Sequence, residues 1–404
     1  MSVNLQYFVK IEKLTLTTTK GVYDLSDILQ FMFYYTSLSN YHIIMNLIIT
    51  DSQDALANWE VNLGDKLNVI LSDDDGRIFK RKLYLIEVEP DTNVVNMNNR
   101  VRGLSFVFSS KIMIDHFMNT ICKHFKMPKT AVFDMMFNKY FKNNDIQFIN
   151  ENKDNGIIEF WANYWKPYDI LDFVLNQTYD EYYDYVLFDD GYKERLVSLS
   201  QLARQPRKYT FHNEYKNIRK AVSSLNIHES QIKNNMSFLK LDNLNGLGNI
   251  FYKDCKLKYG YKRANITPRN VSTKMYLIDN GDTNLYPKFC CDNYRANMIY
   301  SNYDCIAAKQ KVGEQAFWQW HQLQLEMKGL LTRKVGEVAW VKMPILAGSI
   351  SLNQRYDGRW LIHTIKTSIA KNGECNQVIK LIKNDYFMNE TYNDTEASIR
   401  RWKE

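Results

Sequence analysis

The segment DGRWLIHTIKTSIAKNGECNQVIKLIKND, residues 357–385, constrains the fold more than any other part of the chain. Two long runs rich in β-branched and apolar residues flank Asn372-Gly373, a pair favoured in tight hairpin turns. The segment predicts two long strands joined by a type I′ turn, with Lys371 and Glu374 placed to pair across it. Upstream, VGEVAWVKMP (335–344) reads as a Gly, an acid, then an apolar strand. The same order stands near the N-terminus, where LGDKLNVIL begins at Leu63, KLYLIEV returns, and RVRGLSFVF follows a polar turn region. Identity between the two segments is negligible. The pattern leaves open both a true internal duplication and a coincidence of common strand-turn-strand grammar. A duplication implies two similar small antiparallel barrels, since closing each sheet removes its exposed edges.

The remaining N-terminal region also reads as strands, with LQYFVKIEKLTLTTT (5–19) and YHIIMNLIIT (41–50) rich in aromatic and β-branched residues. DDDGR (73–77) is a turn signal. The pattern changes at residue 110. Ile114, Phe117, Met118, Ile121 and Phe125 fall at helical spacing behind Ser109 or Ser110 as N-cap. KPYDILDFVLNQT predicts a second helix, with Pro167 in its first turn and Ile170, Leu171, Val174 and Leu175 on one face. DYVLFDDGYKERLVSLSQL (184–202) reads as a hairpin turning at Asp190-Gly191. Strands resume at 208–228. Residues 236–300 are irregular and rich in Asn, Asp and Tyr, with turn signals at Asn245-Gly246 and Asn280-Gly281. A helix is expected over 303–317. HQLQLEMKG then alternates, with Leu323, Leu325 and Met327 on the buried face of a strand.

A chain of 404 residues exceeds one ordinary core. The expected class is α+β and β-rich, with two similar small antiparallel β-barrels, an inserted α/β domain and a second, irregular insertion. The expected units are residues 1–110 (first barrel), 111–205 (α/β middle domain), 206–235 with 318–386 (second barrel), 236–317 (insertion) and 387–404 (C-terminal extension, a short helix or a flexible arm). Only 16 Gly and 7 Pro against 27 Tyr and 21 Phe argue for folded strands over long disordered tracts.

The C-terminal segment 303–385 resembles the hub proteins of phage tail baseplates, the tube-to-spike adapters of contractile phages related to the core of type VI secretion spike proteins. The matching features are the helix before the alternating strand (FWQWHQLQLEMKG), the Gly-acid strand (VGEVAWVKMP) and the hairpin YDGRWLIHTIKTSIAKNGECNQVIKLIKND. YWKPYDILDFVLNQTYDEYYDYVLFDDGYKERLVSLSQL resembles the family's middle domain. Residues 236–300 have no counterpart. The resemblance implies a homotrimeric ring with pseudo-sixfold symmetry, made of two barrels per chain. Its partners would be a hexameric tail tube protein, a trimeric central spike protein and other baseplate proteins, with DNA only a transient passenger through the lumen. It implies a virion component assembled in the host cytoplasm, with no catalytic activity and no cofactor.

Other features of the sequence point to weaker alternatives. A net charge of +7 is mild and interspersed with acids, which favours a mixed solvated surface over a nucleic-acid footprint. The N-terminus lacks a secretory pattern and the longest apolar clusters are too short to span a bilayer. Cys255, Cys290, Cys291 and Cys305 lack the paired spacing of structural zinc, so reduced thiols are expected. Asp73–Gly76 lacks a calcium loop's alternation, with Tyr84 where the bidentate Glu belongs. Asp180, Glu181, Asp184, Asp189 and Asp190 supply carboxylates for a cell-wall carbohydrate hydrolase, the alternative function, but read first as a solvated face. His363 reads as a structural strand residue, and NGLGN (245–249) as a turn. Phe317, Trp318 and Trp320 are the candidate interface anchors, with a core role in their own domain as the plainer reading.

Overall fold

A computed structural model describes residues 8–51, 58–74, 76–96, 101–141, 145–175, 177–178, 185–212, 229–234, 249–254, 262–265, 295–299, 321–342 and 358–383. The first strands are β1 (Val9–Thr17), β2 (Val22–Asp24), β3 (Leu29–Ser37), β4 (Ile44–Asp51), β5 (Lys66–Asp73), β6 (Ile78–Asn96) and β7 (Val101–Ser109). They pair antiparallel in the order β3-β4-β7-β6-β5-β1-β2. Alternation drives the assembly. Leu67, Val69 and Leu71 of β5 and Met45, Leu47 and Ile49 of β4 are fully buried at every second position. They form one core with Leu14, Leu16, Phe79, Phe106 and Phe108.

The middle region carries β8 (Ile121–Pro128), β9 (Gln147–Asn150), β10 (Ile157–Trp165), β11 (Tyr185–Asp189) and β12 (Lys193–Ser198). β8 pairs antiparallel with β10, β11 antiparallel with β12, and β9 parallel with β12. The helix Pro167–Leu175 buries Ile170, Leu171, Val174 and Leu175, the face its periodicity predicts. The helix expected from residue 111 is shorter than its pattern. It spans Lys111–Met118, and Ile121 and Phe125 lie in β8. Both are buried there, because a four-residue step keeps one face in a strand as well as in a helix. Phe117 and Met118 are exposed. The second strand of the 184–202 hairpin ends at Ser198, whose side chain accepts the Gln201 N–H and caps the helix Leu199–Arg204.

The last region holds β13 (Arg207–His212), β14 (Glu229–Asn234), β15 (Asn249–Asp254), β16 (Lys262–Asn265), β17 (Arg295–Ile299), β18 (His321–Lys328), β19 (Val338–Lys342), β20 (Gly358–Ala370) and β21 (Cys375–Lys383). β15 pairs antiparallel with β16 and parallel with β17, a small sheet of their own. The others follow the order β14-β18-β21-β20-β19-β13, with β13 parallel to β19. Leu323, Leu325 and Met327 of β18 are buried, as their alternation requires. The two strand sets are joined by strand pairing. β20 pairs with β3, so both belong to one sheet of 13 strands among the described residues.

Candidate functional site

The junction between the two strand sets is built by the C-terminal hairpin. Thr364–Ala370 of β20 pair with Phe31–Ser37 of β3. The hairpin tip then reaches the far end of the first set. Val9 N–H donates to the Gly373 carbonyl at 2.9 Å, and Phe8 bridges Glu374. The hairpin therefore touches both β3, at one end of the first set, and β1, next to the strand at the other end, and its Ile369 and Cys375 complete the first core. Burial pushes the Cys375 thiol up to about 12, so it stays protonated and packs as a small apolar group.

The turn differs from the expected type I′ form. Gly373 N–H donates to the Ala370 carbonyl and Ala370 N–H to the Glu374 carbonyl. Only Gly373 has a positive φ, +84°. That is a three-residue loop, a type I turn followed by a left-handed Gly, which shifts the register by one residue. Lys371 and Glu374 do not pair with each other. Lys371 donates to the Asp27 carbonyl and Glu374 pairs with Lys328, both at 2.5 Å. A Cβ at residue 373 would lie 2.8 Å from the Val9 carbonyl oxygen, so this contact needs Gly for space as well as for φ.

The two strand sets repeat each other bond for bond at the Gly-acid step. Gly64 N–H donates to the Leu85 carbonyl at 2.8 Å, and Leu85 N–H donates to the Asp65 carbonyl at 2.9 Å. Gly336 N–H donates to the Ile362 carbonyl at 2.8 Å, and Ile362 N–H to the Glu337 carbonyl at 2.9 Å. The acid's side chain accepts the N–H three residues earlier in both, Asn62 at 2.8 Å and Lys334 at 3.0 Å. Both glycines are left-handed, with φ of +92° and +80°. A register shift follows one residue later in each long strand, between Leu85 and Glu87 of β6 and between Ile362 and Thr364 of β20. The ladders then coincide: Val88 faces Phe106 as Ile365 faces Ile379, and Leu47 faces Phe106 as Leu325 faces Ile379. The repeated order in the sequence is thus a duplication of structure. The edge strand departs from it, since β1 is antiparallel to β5 while β13 is parallel to β19.

Between the two sets sits the Asp190-Gly191 turn of the middle region. Asp189 and Asp190 are buried, and the solvated acidic face expected from the sequence is not formed by them. Arg81 of β6 donates from Nη1 to both Asp189 carboxylate oxygens, at 3.0 and 2.9 Å, and to the Gly191 carbonyl at 3.2 Å. Its Nε lies 3.3 Å from Asp145. Burial works against the Arg81 charge, but Asp189, Asp145 and Glu194 outweigh it and hold the guanidinium above its ordinary value. Asp189 also accepts the Gly191 N–H, and the Ile43 N–H from the first set. Asp190 caps the turn through the Tyr192 and Lys193 N–H groups and meets Lys334 of the second set at 3.4 Å. Tyr192 Oη donates to the Leu331 carbonyl. These carboxylates are occupied in holding the three regions together, which leaves no free acid pair at this turn.

Other sequence candidates resolve as structural. Asp73 closes a hairpin turn by accepting the Arg77 N–H at 2.8 Å, with Gly76 at φ +74°. His363 occupies the β20 bulge. It is buried, its carbonyl accepts the Leu38 N–H of the first set, and burial pushes its imidazole down to about 3. Cys122 is exposed and unpaired. No cluster of three His, Cys, Asp or Glu able to hold a metal occurs among the described residues. Phe317, Trp318 and Trp320 lie outside the described residues, as do Asp180, Glu181, Asp184, Cys255, Cys290, Cys291, Cys305, residues 245–248 of NGLGN, the 303–317 helix and the 387–404 extension.

Solved structures share this arrangement along nearly its whole length. The 43 kDa tail protein of prophage MuSo2 from Shewanella oneidensis matches with a TM-score of 0.53 at 13% identity, over 93% of this chain and 99% of that one. A tail protein from Neisseria meningitidis MC58 matches with a TM-score of 0.55 at 10% identity, over 95% and 98%. The chain has the fold of phage tail proteins. A chain of the Francisella PdpA-VgrG complex also matches this tail-protein fold, with a TM-score of 0.52 at 12% identity, over 96% of this chain and 55% of that one. No family model matches the sequence, and no curated protein matches it.

Proposed function

We propose that the chain is a structural hub of a phage tail baseplate. Three copies form a ring that joins the hexameric tail tube to the trimeric central spike and leaves a conduit for DNA. The tail-protein fold supports this reading, and one observation carries it: two copies of one strand set lie side by side in a single chain. A trimer of such chains presents six similar sheets, so a threefold object can meet a sixfold one through quasi-equivalent contacts. Residues 1–110 and residues 206–235 with 318–386 are the two tube-facing units, with 111–205 a middle domain bracing them, 236–317 an insertion and 387–404 a C-terminal extension. Phe317, Trp318 and Trp320 are proposed anchors on a neighbour. The protein acts in the virion, after assembly in the host cytoplasm, without catalysis. No helix among the described residues is long and apolar enough to cross a membrane.

Electron microscopy of the chain mixed with the tube and spike proteins of the same phage tests the adapter. The expected particles are rings with a tube ring on one face and a spike on the other. Rings that bind neither partner would overturn the adapter role, and hydrolysis of cell-wall carbohydrate by the pure chain would revive the enzymatic alternative.

A further inference from the structure

The duplication leaves each chain with two strand edges whose internal counterparts are joined. Before its bulge, β20 pairs with β19; past it, Thr364–Ala370 turn to β3. β6 breaks in the same way. Ile78–Tyr84 pair with β5, and from Glu87 onward β6 pairs only with β7 among the described residues. Its other edge is the counterpart of the one that β3 covers. The counterpart of β3 is β14. Phe31 faces Ile48 of β4 as Glu229 faces Glu326 of β18, and the ladders agree from there. Among the described residues β14 ends the sheet, with β18 as its strand neighbour.

We propose that these two edges meet between copies of the chain. In this seam β6 past its bulge adds antiparallel to β14 of the next copy, in the register that β20 and β3 use within one copy. The inference rests on the ring reading above and adds the seam and its register. Transferring that register sets Val88 against Asn234, Glu89 against Lys233 and Asp91 against Gln231 of the neighbouring copy. A glutamate of one copy and a lysine of the next therefore stand opposite in register at the pair that corresponds to Lys366 and Tyr35. Pro90 fits the same geometry. Ala370 N–H bonds toward β21, so by alternation the Thr367 N–H points toward β3. Pro90 is the Thr367 counterpart, so its missing donor lies on the open edge and leaves the β7 ladder intact. The seam carries one hydrogen bond fewer than the internal junction. Because the two edges differ, the contact is head-to-tail, the kind that closes rings.

Paired cysteines test the register. Directly opposed antiparallel residues have Cα atoms roughly 4.5–5.5 Å apart, within disulfide range. The full-length double variant Glu89→Cys with Lys233→Cys is expected to oxidise into species running up to a covalent trimer on non-reducing gels. Each single variant, which keeps the native cysteines, stays at one-chain mass. Glu89→Lys should weaken assembly about fivefold, and adding Lys233→Glu should restore it. Three results overturn the seam. If light scattering shows an intact trimer but no cross-link forms, the seam is wrong and the hub reading stands. If Asp91→Cys with Lys233→Cys links equally well, the register is wrong. If the chain is monomeric at every concentration and with its partners present, seam and hub reading fall together.

Discussion

The Gly64-Asp65 and Gly336-Glu337 steps make the same three hydrogen bonds, yet their surroundings differ. Beside Gly64 an added Cβ would meet nothing within 4 Å, whereas beside Gly336 it would meet Phe188 at 3.1 Å and Leu202 at 3.2 Å. The bulge residue that follows is the half-buried Ile86 in the first copy and the buried His363 in the second. The second copy is enclosed by the middle region and by β3. The first keeps the matching edge of β6 free of strand neighbours among the described residues. Local backbone geometry is thus a property of the repeated grammar, and burial is a property of what each copy is packed against.

The largest expected effect lies at the turn between the copies. Arg81→Met leaves the Asp189 carboxylate buried without its cation, and should lower unfolding free energy by about 3–5 kcal/mol in denaturant titrations. Replacing Asp189 as well, with Asn, should recover part of that loss.

Alanine at the two glycines sharpens the contrast. Gly64→Ala should cost about 1–2 kcal/mol for a left-handed Cβ alone. Gly336→Ala adds overpacking against Phe188 and Leu202, about 1–3 kcal/mol more. Equal losses would mean that the middle region does not press on the second copy as described.

The bulge residues should separate the copies by pH. The folded pKa of His363 is depressed to about 3, below the ordinary 6.5, because burial disfavours the imidazolium. The unfolded chain therefore binds the extra proton first, and stability falls as pH drops from 6.5 toward 3. At pH 5 the loss is about 2 kcal/mol from this one group. His363→Met should flatten that part of the stability–pH curve, while Ile86→Met leaves it unchanged.

The acid side chains give the smallest effect. Asp65→Ala removes one acceptor for a backbone N–H, worth about 1 kcal/mol in thermal or chemical melts, and Glu337→Ala removes the matching acceptor together with the Lys208 ion pair and costs slightly more.

Much of this was legible in the sequence. Period-two alternation marks β5, β18 and the C-terminal hairpin, and period 3.6 marks the helix Pro167–Leu175. The Gly-acid order pointed to the duplication, although only the hydrogen bonds decide it. β3 escaped because LQFMFYYTS is apolar at successive positions and shows no clear period. Missing it hid the junction, since β3 is the strand that joins the two sets. The Arg81–Asp189 clamp joins residues 108 apart, and no local pattern announces such a pair. Asn372-Gly373 marks the place of the turn but not its form, because the same dipeptide serves both a two-residue loop and a three-residue loop with a left-handed Gly.

The proposed ring needs two repeated sheets in each of three chains. The most direct test is the mass of the chain in solution by light scattering, alone and with candidate spike proteins. The ring predicts three times 47.9 kDa, 143.7 kDa, in at least one of these samples. A mass of 47.9 kDa in all of them, across the accessible concentration range, would contradict it.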